Sequence, residues 1–309
     1  MELIRDIASI APRFRGGVLS VGVFDGVHLG HQKVLGRAVE RARALAAAAV
    51  VFTFHPHPLA ILRPAEAPPL LQTFGQKLEL MRRLGVDAVL WPQDTPAVLA
   101  LPPDAFVTDV AHGALGARVM VEGGDFRFGA GAGGDGERLV GLSRRHGIEV
   151  EFVSDMQIDG DRVSSTRIRR LIAAGRVGEA ARCLGRPYSY VGTVVEGHHR
   201  GGQLGYPTAN VTAPRFLIPA EGVYAGWAEV RGSRHPAAIS VGRMPTFHLE
   251  HPVTVEAFLL DFDGELYGEQ AALEFVEYVR PQVAFAFADA LRVQMAADCE
   301  RVRALVSRP

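Results

Sequence analysis

Residues 18–174 alternate short apolar runs with amphipathic segments of helical period, and this alternation constrains the fold more than any other feature. Runs such as "VLSVGVF" (18–24) and "AVVFTF" (49–54) predict buried strands, and "LGHQKVLGRAVERARALA" (29–46) predicts a helix with one apolar face. Strands and helices in alternation form βαβ units, so the pattern predicts an α/β domain whose parallel sheet is covered on both faces. Ligands of such sheets bind beyond the carboxyl ends of the strands.

After Arg186 the pattern changes to strand candidates separated by turn residues. No helical period returns until about residue 283, from which "VAFAFADALRVQMAADCERVRALV" (283–306) predicts a terminal helix. The pattern predicts an antiparallel barrel or sandwich. We therefore expect one domain over 1–186 and a second over 187–309. The strand candidates are 190–197, 222–230, 235–242, 253–262 and 269–279.

Charge and composition narrow the classes of partner. Lysine plus arginine (33) nearly balance aspartate plus glutamate (34), so no global basic field favours a nucleic-acid partner. The two cysteines, Cys183 and Cys299, have no CxxC neighbour, which argues against a zinc ribbon or a disulfide framework. The start of the chain has no signal-peptide pattern, and the longest apolar run, 44–54, is short for a membrane span. We expect a cytoplasmic protein with no membrane partner.

Two histidines, His28 and His31, lie between the end of the first predicted strand and the first turn of the helix that follows it. Positions three apart share a helix face, so the two imidazoles can act together. As metal ligands they would need help from His55 and His57, and Leu29 stands where an HExxH motif requires glutamate. The third reading is a pair of histidines with no role beyond packing or solvation.

A phosphate site explains more of this stretch than a metal site does. Gly22, Gly26 and Gly30 allow the backbone to approach a ligand closely. The helix that begins near Leu29 directs free N–H groups and the positive end of its dipole toward the same place. Imidazoles there can donate hydrogen bonds to phosphoryl oxygens as charge develops. We therefore favour a phosphate site.

The stretch "VSSTRIRR" (163–170) points to the same kind of ligand. At the start of a predicted helix it holds three hydroxyl residues, and two of its arginines are candidates with them: Ser164, Ser165, Thr166, Arg167 and Arg169. A helix cap needs only one such hydroxyl. Hydroxyls, helix N–H groups and guanidinium groups together suit a triphosphate clamp.

A glycine loop, "EGGDFRFG" (122–129), follows the predicted strand 117–122. Asp125 suits a ribose, an amine or a metal. Phe126 and Phe128 suit stacking on a ring system, although loop phenylalanines also fill cores.

The glycines Gly129, Gly131 and Gly134 spell GxGxxG, the dinucleotide fingerprint of NAD-dependent oxidoreductases. In that fingerprint the glycine turn follows its strand directly, whereas residues 122–128 intervene here. We treat an oxidoreductase as the weaker alternative.

The motifs, taken in order, resemble the bifunctional bacterial riboflavin kinase/FMN adenylyltransferases, also called FAD synthetases. "FDGVHLGH" (24–31), "PHP" (56–58), "DFRFG" (125–129) and "SSTRIR" (164–169) match the first half of that family. "LGYPTAN" (204–210), "GVYAG" (222–226) and "VEAFLLDFDGELYG" (255–268) match the second half. The resemblance implies a Rossmann-like nucleotidyltransferase domain with a parallel sheet, followed by a small antiparallel kinase β-barrel with a terminal helix.

The resemblance also implies residue roles. His28, His31 and Arg169 would serve adenylyl transfer, and Glu256 would accept the proton of the ribityl 5′-hydroxyl. Thr208 and Asn210 would hold Mg²⁺ and ATP. The flavin-binding residues would be Asp125, Phe126 and Phe128. The nucleotide-binding residues would be Gly22, Phe24, Asp25, Gly26, Ser164, Ser165, Thr166 and Arg167.

From the residues alone, Glu256 is less defined. Strand alternation in 253–262 puts Thr254, Glu256 and Phe258 on one face and Val253, Val255, Ala257 and Leu259 on the other. A solvated strand glutamate stays open at this point.

Two departures from the family pattern, Gly202 and Met244, keep an alternative open: an FMN adenylyltransferase whose barrel binds flavin without catalysis. The expected cofactors and substrates are Mg²⁺, ATP, riboflavin, FMN and FAD. The expected partners are these small molecules, with homo-oligomerisation left open.

Overall fold

A computed structural model describes residues 1–196, 206–243, 253–285 and 287–307. The chain divides into two compact units. The first comprises Met1–Pro68 and Phe74–Val163, and the second comprises Pro69–Thr73 and Ser164–Pro309. Residues 164–186, which the sequence pattern assigns to the first domain, thus group with the second unit.

The first unit is built on a six-stranded parallel sheet of order β1-β4-β3-β2-β5-β6. The predicted α/β architecture is confirmed, with one strand added at the edge. That strand, β1, has three residues of which only Ile4 is buried, so it carries no apolar run for periodicity to detect. The strands are β1 (Glu2–Ile4), β2 (Val18–Val21), β3 (Ala49–Phe52), β4 (Ala88–Leu90), β5 (Val119–Gly123) and β6 (Glu149–Val153).

Helices cover this sheet. Helix α1 buries Leu35, Ala38 and Ala42, four or so residues apart, against the strands. The helices are α1 (Leu29–Ala44), α2 (Pro58–Leu62), α3 (Phe74–Arg83), α4 (Thr95–Leu99), α5 (Pro103–Ala105), which runs into a π-helix (Phe106–Ala114), and α6 (Gly136–Arg144). A small hairpin, β7 (Gln157–Ile158) and β8 (Asp161–Arg162), ends the unit.

The second unit begins with two helices, α7 (Ser165–Ala173) and α8 (Val177–Leu184). Helix α8 buries Val177, Ala180, Cys183 and Leu184 and packs on the strands that follow it. Its end is set by Gly185, whose φ of 74° is the left-handed cap conformation that glycine adopts without strain. This apolar face explains why residues after 163 group with the barrel.

The rest of the second unit is a closed, antiparallel, six-stranded barrel of order β10-β13-β12-β11-β14-β9. A barrel is therefore confirmed over a sandwich. The sequence pattern predicts five of its strands and misses β10, which follows Pro207 and reads as a turn. The strands are β9 (Tyr188–Val195), β10 (Thr208–Thr212), β11 (Gly222–Val230), β12 (Ser233–Gly242), β13 (Thr254–Leu259) and β14 (Gln270–Arg280).

The predicted terminal helix is present as α9 (Ala288–Val306) and starts later than residue 283. Gln282 precedes it and donates to Ser240 Oγ (2.8 Å) and Val241 O (3.0 Å), which holds the segment on β12 instead of in a helix. A buried ion pair joins α9 to the barrel: Arg280 Nη2 lies 2.6 Å from Asp298 Oδ2. Within the described residues, no helix combines the length and apolar character needed to cross a membrane.

A short piece of the first half of the sequence belongs to the second unit. Leu70 N donates to Arg215 O (2.8 Å), and Leu217 N donates to Leu70 O (3.1 Å), so Pro69–Thr73 pairs like a strand with the segment after β10. Arg169 Nε on α7 donates to Pro69 O (2.8 Å). The second unit is therefore assembled from two stretches of sequence.

Candidate active sites

In the first unit, the loop from Gly22 to His28 follows the carboxyl end of β2. A Cβ on Gly22 would lie 2.9 Å from the ring of Phe24, and Gly26 has a φ of 85°. Both positions therefore require glycine. A Cβ on Gly30 would lie 3.1 Å from the imidazole of His28. The glycines predicted to let the backbone approach a ligand thus also fold the loop around Phe24 and His28.

The histidine pair is assembled as the motif predicts. His28 is the N-cap of α1, and its Nδ1 accepts from His31 N (3.3 Å). The two rings stack with centroids 3.6 Å apart, and Phe24 meets His31 edge-on at 5.3 Å. Because Nδ1 of His28 accepts this bond, a ring proton of His28 lies on Nε2.

His31 is held neutral by its surroundings. Burial lowers its pKa well below the usual value, and the charges of His28, Lys77 and Arg162 lower it further. Its buried Nδ1 has no hydrogen-bond partner within the part of the chain that the structure describes. At neutral pH this imidazole is a hydrogen-bonding group without a charge.

The four-histidine metal site is not assembled. His55 stacks on Phe74 (4.7 Å between centroids), and His57 caps α2 by accepting from Leu59 N (3.1 Å). No group of three or more histidine, cysteine, aspartate or glutamate side chains among the described residues could hold a metal ion. His55 and His57 thus take part in contacts of their own.

Lys77 on α3 reaches this loop and has no place in any motif that the sequence offers. Its Nζ donates to Val23 O (2.7 Å) and Phe54 O (3.3 Å), the residues that follow β2 and β3. Asp25 raises its pKa and burial lowers it more strongly, to about 8. The only sequence signal for Lys77 is its rarity: Lys33 and Lys77 are the sole lysines among the 33 basic residues.

In the loop after β5, Asp125 forms an ion pair, whereas Phe126 and Phe128 pack against each other. Asp125 Oδ2 lies 2.6 Å from Arg162 Nη2 on β8. Phe126 stacks on Phe128 with centroids 5.5 Å apart, and Phe128 is buried in the core against Phe106. Of the two rings, Phe126 is therefore the more exposed, and Phe128 packs behind it in the core.

The GxGxxG glycines belong to this packing and not to a dinucleotide fingerprint. Gly134 pairs with the backbone of Phe128, and a Cβ on Gly134 would lie 2.5 Å from that ring. Gly129 abuts Pro103, where a Cβ would come within 2.7 Å. The glycines thus make room for a core ring and a proline.

The predicted phosphate clamp lies in the second unit, at the start of α7. Ser164 is the N-cap, and its Oγ accepts from Arg167 N (3.2 Å). Ser165 and Thr166 form the first turn of the helix, and Arg169 bonds Pro69 O. The ordinary capping role of Ser164 is thus present, and the phosphate clamp stays a prediction.

In the barrel, strand register brings together residues that are far apart in sequence. Asn210 on β10 is opposite Glu256 on β13, and Thr208 Oγ1 lies 3.5 Å from Glu256 Oε2. The predicted alternation is confirmed: Val255, Ala257 and Leu259 are buried, whereas Thr254, Glu256 and Phe258 are half-buried on the other face.

Glu256 and Thr208 line a cavity of about 430 Å³ between the barrel and α9. Its walls are largely apolar, with Phe258, Phe285, Leu291 and Met295 among them, and the Arg280–Asp298 ion pair lies at one side. Motif reasoning misses Arg280, Gln282 and Asp298, because they come from the strand end and helix that match no short signature. Gly202 and Met244, the two departures from the family pattern, lie outside the described residues.

Comparison with known proteins identifies a family for each half of the chain. A family model for FAD synthetase matches residues 11–167, and a model for riboflavin kinase matches residues 184–306. Curated relatives named bifunctional riboflavin kinase/FMN adenylyltransferase include one from Pseudomonas fluorescens, 35% identical over 307 residues (99% of this chain and 98% of the relative). Another, from Escherichia coli K12, is 34% identical over 303 residues, covering 96% of each chain.

A crystal structure described as a macrolide-efflux protein from Streptococcus pneumoniae superposes with a TM-score of 0.85 at 30% identity, covering 97% of this chain and 98% of that one. That likeness extends over both units, each of which also matches its own family model. The chain belongs to the family of bifunctional riboflavin kinase/FMN adenylyltransferases.

Proposed function

We propose that the chain makes flavin cofactors in two reactions: ATP-dependent phosphorylation of riboflavin to FMN, and adenylylation of FMN to FAD with release of pyrophosphate. The observation that carries this proposal is the match of two family models to the two halves of one chain. In the barrel, Thr208 and Glu256 line one cavity, and Asn210 is opposite Glu256 in the strand register. That cluster favours a catalytic barrel over one that only binds flavin.

In adenylyl transfer, an oxygen of the FMN phosphate attacks the α-phosphorus of ATP, and the bond to the bridging oxygen of pyrophosphate breaks. His28 and His31 stabilise the charge that develops on the phosphoryl oxygens by donating hydrogen bonds. The stacked pair suits this role, because burial holds His31 neutral and both rings lie at the N-terminus of α1. No covalent intermediate with the protein is involved.

Two sets of residues are assigned to nucleotide binding, one within each unit. Gly22, Phe24, Asp25 and Gly26 contact the nucleotide, and the start of α7 binds phosphate oxygens through Ser164, Ser165, Thr166, Arg167 and Arg169. Support comes from the tight glycine loop and from the cluster of donors at one helix start. Phe126 stacks on the flavin ring, with Phe128 behind it and Asp125 fixed by Arg162.

In the kinase reaction, Glu256 accepts the proton of the ribityl 5′-hydroxyl while that oxygen attacks the γ-phosphorus of ATP and ADP leaves. The apolar walls of the cavity suit the flavin ring system. The hydroxyl of Thr208 and the amide oxygen of Asn210 are hard oxygen donors, which Mg²⁺ prefers, so these two residues would hold the ion with ATP. Bound Mg²⁺ would neutralise phosphate charge; the positioning is done by the chain.

We assign adenylyl transfer to a domain over 1–186 and the kinase to 187–309, and we place the enzyme in the cytoplasm with small-molecule partners. The family models, which end at residue 167 and begin at residue 184, support this order along the chain.

The decisive experiment is incubation of the intact protein with riboflavin and Mg-ATP, followed by chromatography of the flavins. Both FMN and FAD should accumulate. In parallel, the protein is given FMN and Mg-ATP. FAD from FMN without any FMN from riboflavin would support the alternative, an adenylyltransferase with a non-catalytic barrel. Absence of both products would contradict the proposal.

A further inference from the structure

Lys77 is the buried cation of the first unit, with 6% of its surface exposed. Its Nζ lies 2.7 Å from Val23 O, 3.3 Å from Phe54 O and 3.5 Å from Thr53 Oγ1. An ammonium group has three protons, and here three acceptors surround it. Thr53 Oγ1 in turn lies 3.3 Å from Val23 O. Lys77 therefore ties together the chain segments that follow β2 and β3, and its protons are committed to protein atoms.

The segment after β2 carries the histidine pair. Val23 precedes Phe24, Asp25 and Gly26, and the loop ends at His28, the cap of α1. Two non-glycine residues of this loop, Phe24 and Val27, have positive φ values of 49° and 36°, so the loop needs outside contacts to keep its shape. The bond from Lys77 to Val23 O supplies one at its start.

The charge of Lys77 also reaches the site. It lowers the pKa of His31 and that of His55, and the carboxylate that opposes its own deprotonation is Asp25. The groups whose pKa Lys77 lowers are thus His31 on α1 and His55 after β3, and the carboxylate that acts on Lys77 is Asp25 after β2. A buried ammonium costs free energy, which its three acceptors and Asp25 offset.

The choice of lysine is itself informative. Of the 33 lysine and arginine residues in the chain, only Lys33 and Lys77 are lysines. Arginine presents a planar fork with five N–H groups, whereas lysine places one compact charge among converging acceptors. A chain that uses arginine almost everywhere retains lysine at the position where three oxygens meet one nitrogen.

We propose that Lys77 is a positioning residue for adenylyl transfer: it fixes the loop that bears His28 and keeps a positive charge beside the histidine pair. This inference rests on the proposed function. The charge would favour the transition state, in which negative charge grows on the phosphoryl oxygens near His31. Lys77 acts through the loop and through its field, since its protons are donated to protein atoms.

The first test measures the ionisation of Lys77 without any activity assay. In the intact K33R variant, Lys77 is the only lysine, so ¹³C-labelled lysine gives a single side-chain signal to titrate. Lys33 is exposed and bonds Ser154, outside the proposed machinery, which makes K33R a matched control. The signal should titrate near pH 8. A signal that is already deprotonated at pH 7 would overturn the inference, because no positive charge would then lie beside the histidine pair.

The second test follows both reactions of the intact protein from pH 6 to 10. For unmodified protein, kcat for FAD formation from FMN should fall above about pH 8, as Lys77 loses its proton. K77M should be slower by about tenfold or more at pH 7, without that fall. K77R retains the charge, so its fall should move to higher pH. Riboflavin phosphorylation should be the same in all variants.

The outcomes separate this inference from the proposed function. If the unmodified protein makes FAD and K77M matches its rate and pH profile, only the role of Lys77 is refuted. If K77M loses both reactions in proportion to its unfolding, and K77R keeps the pH profile of the unmodified protein, Lys77 is merely structural and the inference is wrong. If the unmodified protein makes no FAD, the proposed function fails, while the titration still reports on Lys77.

Discussion

The two units gather their polar groups by opposite means. In the first unit, His28 and His31 lie within one turn of a helix, and their rings stack because of that spacing. In the second, Thr208 and Glu256 are 48 positions apart and meet only through the register of β10 and β13. A site carried by one loop can be read from a short motif, whereas a site carried by strand register depends on the whole barrel closing correctly.

The barrel half of this comparison is tested by Glu256→Gln, for which we expect the largest effect. The substitution keeps the size of the side chain and removes the proton acceptor. Riboflavin phosphorylation should fall by at least ~100-fold, the lower range for a positioned base. FMN-to-FAD conversion should stay within about twofold, because distant sites act independently. Both rates are measured on the same preparation. Phosphorylation at the unmodified rate would refute the role of Glu256.

The loop half is tested by His31→Ala. Loss of one preorganised donor should lower FAD formation by a factor on the order of a hundred. Riboflavin phosphorylation should be nearly unchanged. This is the opposite of the pattern expected for Glu256→Gln, which should lose phosphorylation and keep FAD formation. The measurement is the rate of each step, assayed separately from FMN and from riboflavin. A tightly bound zinc in the unmodified protein that disappears in the variant would contradict the phosphate site.

A truncation tests whether the two halves work independently. A fragment ending at Gly185 should fold and convert FMN to FAD within about tenfold of the intact rate, since each half has enough chain for a core. It should also be less soluble, because α8 then exposes Val177, Ala180 and Leu184. Adenylylation and circular dichroism are compared with those of the intact protein. If both halves were folded but only the intact chain made FAD from FMN, the modular assignment would be wrong.

The smallest effect is expected from Glu122→Gln in β5. Burial raises the pKa of Glu122 well above its usual value, while its Oε1 accepts from Val21 N (2.9 Å). A raised carboxyl pKa means that the folded state holds a proton which the unfolded state releases, so stability falls as pH rises through that range. Glutamine keeps the acceptor and has no proton to lose.

Glu122→Gln should therefore match the original protein near pH 4.5 and exceed its unfolding temperature by a few degrees at pH 8. Thermal unfolding at the two pH values measures the difference. An equal difference at both pH values would show that the effect is not ionisation.

Much of the fold follows from periodicity, and the misses have physical causes. Apolar runs reveal β2 to β5 because buried parallel strands are continuously apolar. The edge strand β6 shows instead an alternation of glutamate with apolar residues. Strand β1 is too short to show a pattern, and β10 begins directly after a proline. The structure groups residues 164–186 with the barrel, whereas the sequence pattern puts them before the boundary at Arg186. The apolar face of α8 shows that the helix packs on something, but its sequence does not show which unit it packs on.

For the sites, local motifs place His28 and His31, whereas long-range contacts escape sequence reading. Lys77 reaches the loop from α3, and Arg162 reaches Asp125 from a two-residue strand, with no motif linking either pair. Phe128 and Phe126 look alike in sequence, but only their packing shows that one fills the core and the other covers it. Likewise, the motif "GYPTAN" does not show that β10 pairs with β13, and this pairing is what brings Asn210 opposite Glu256.

The pairing of Leu70 with residues 215–217 has a consequence for synthesis of the chain on the ribosome. Residues 69–73 emerge early, long before the stretch after β10 exists to receive them. Synthesis of the first unit is complete at Val163, before the residues that pair with this short segment have been made. A gene fusion that transplants only the sequence after 163 would leave that partner behind, and the transplanted barrel would lack one of its backbone neighbours.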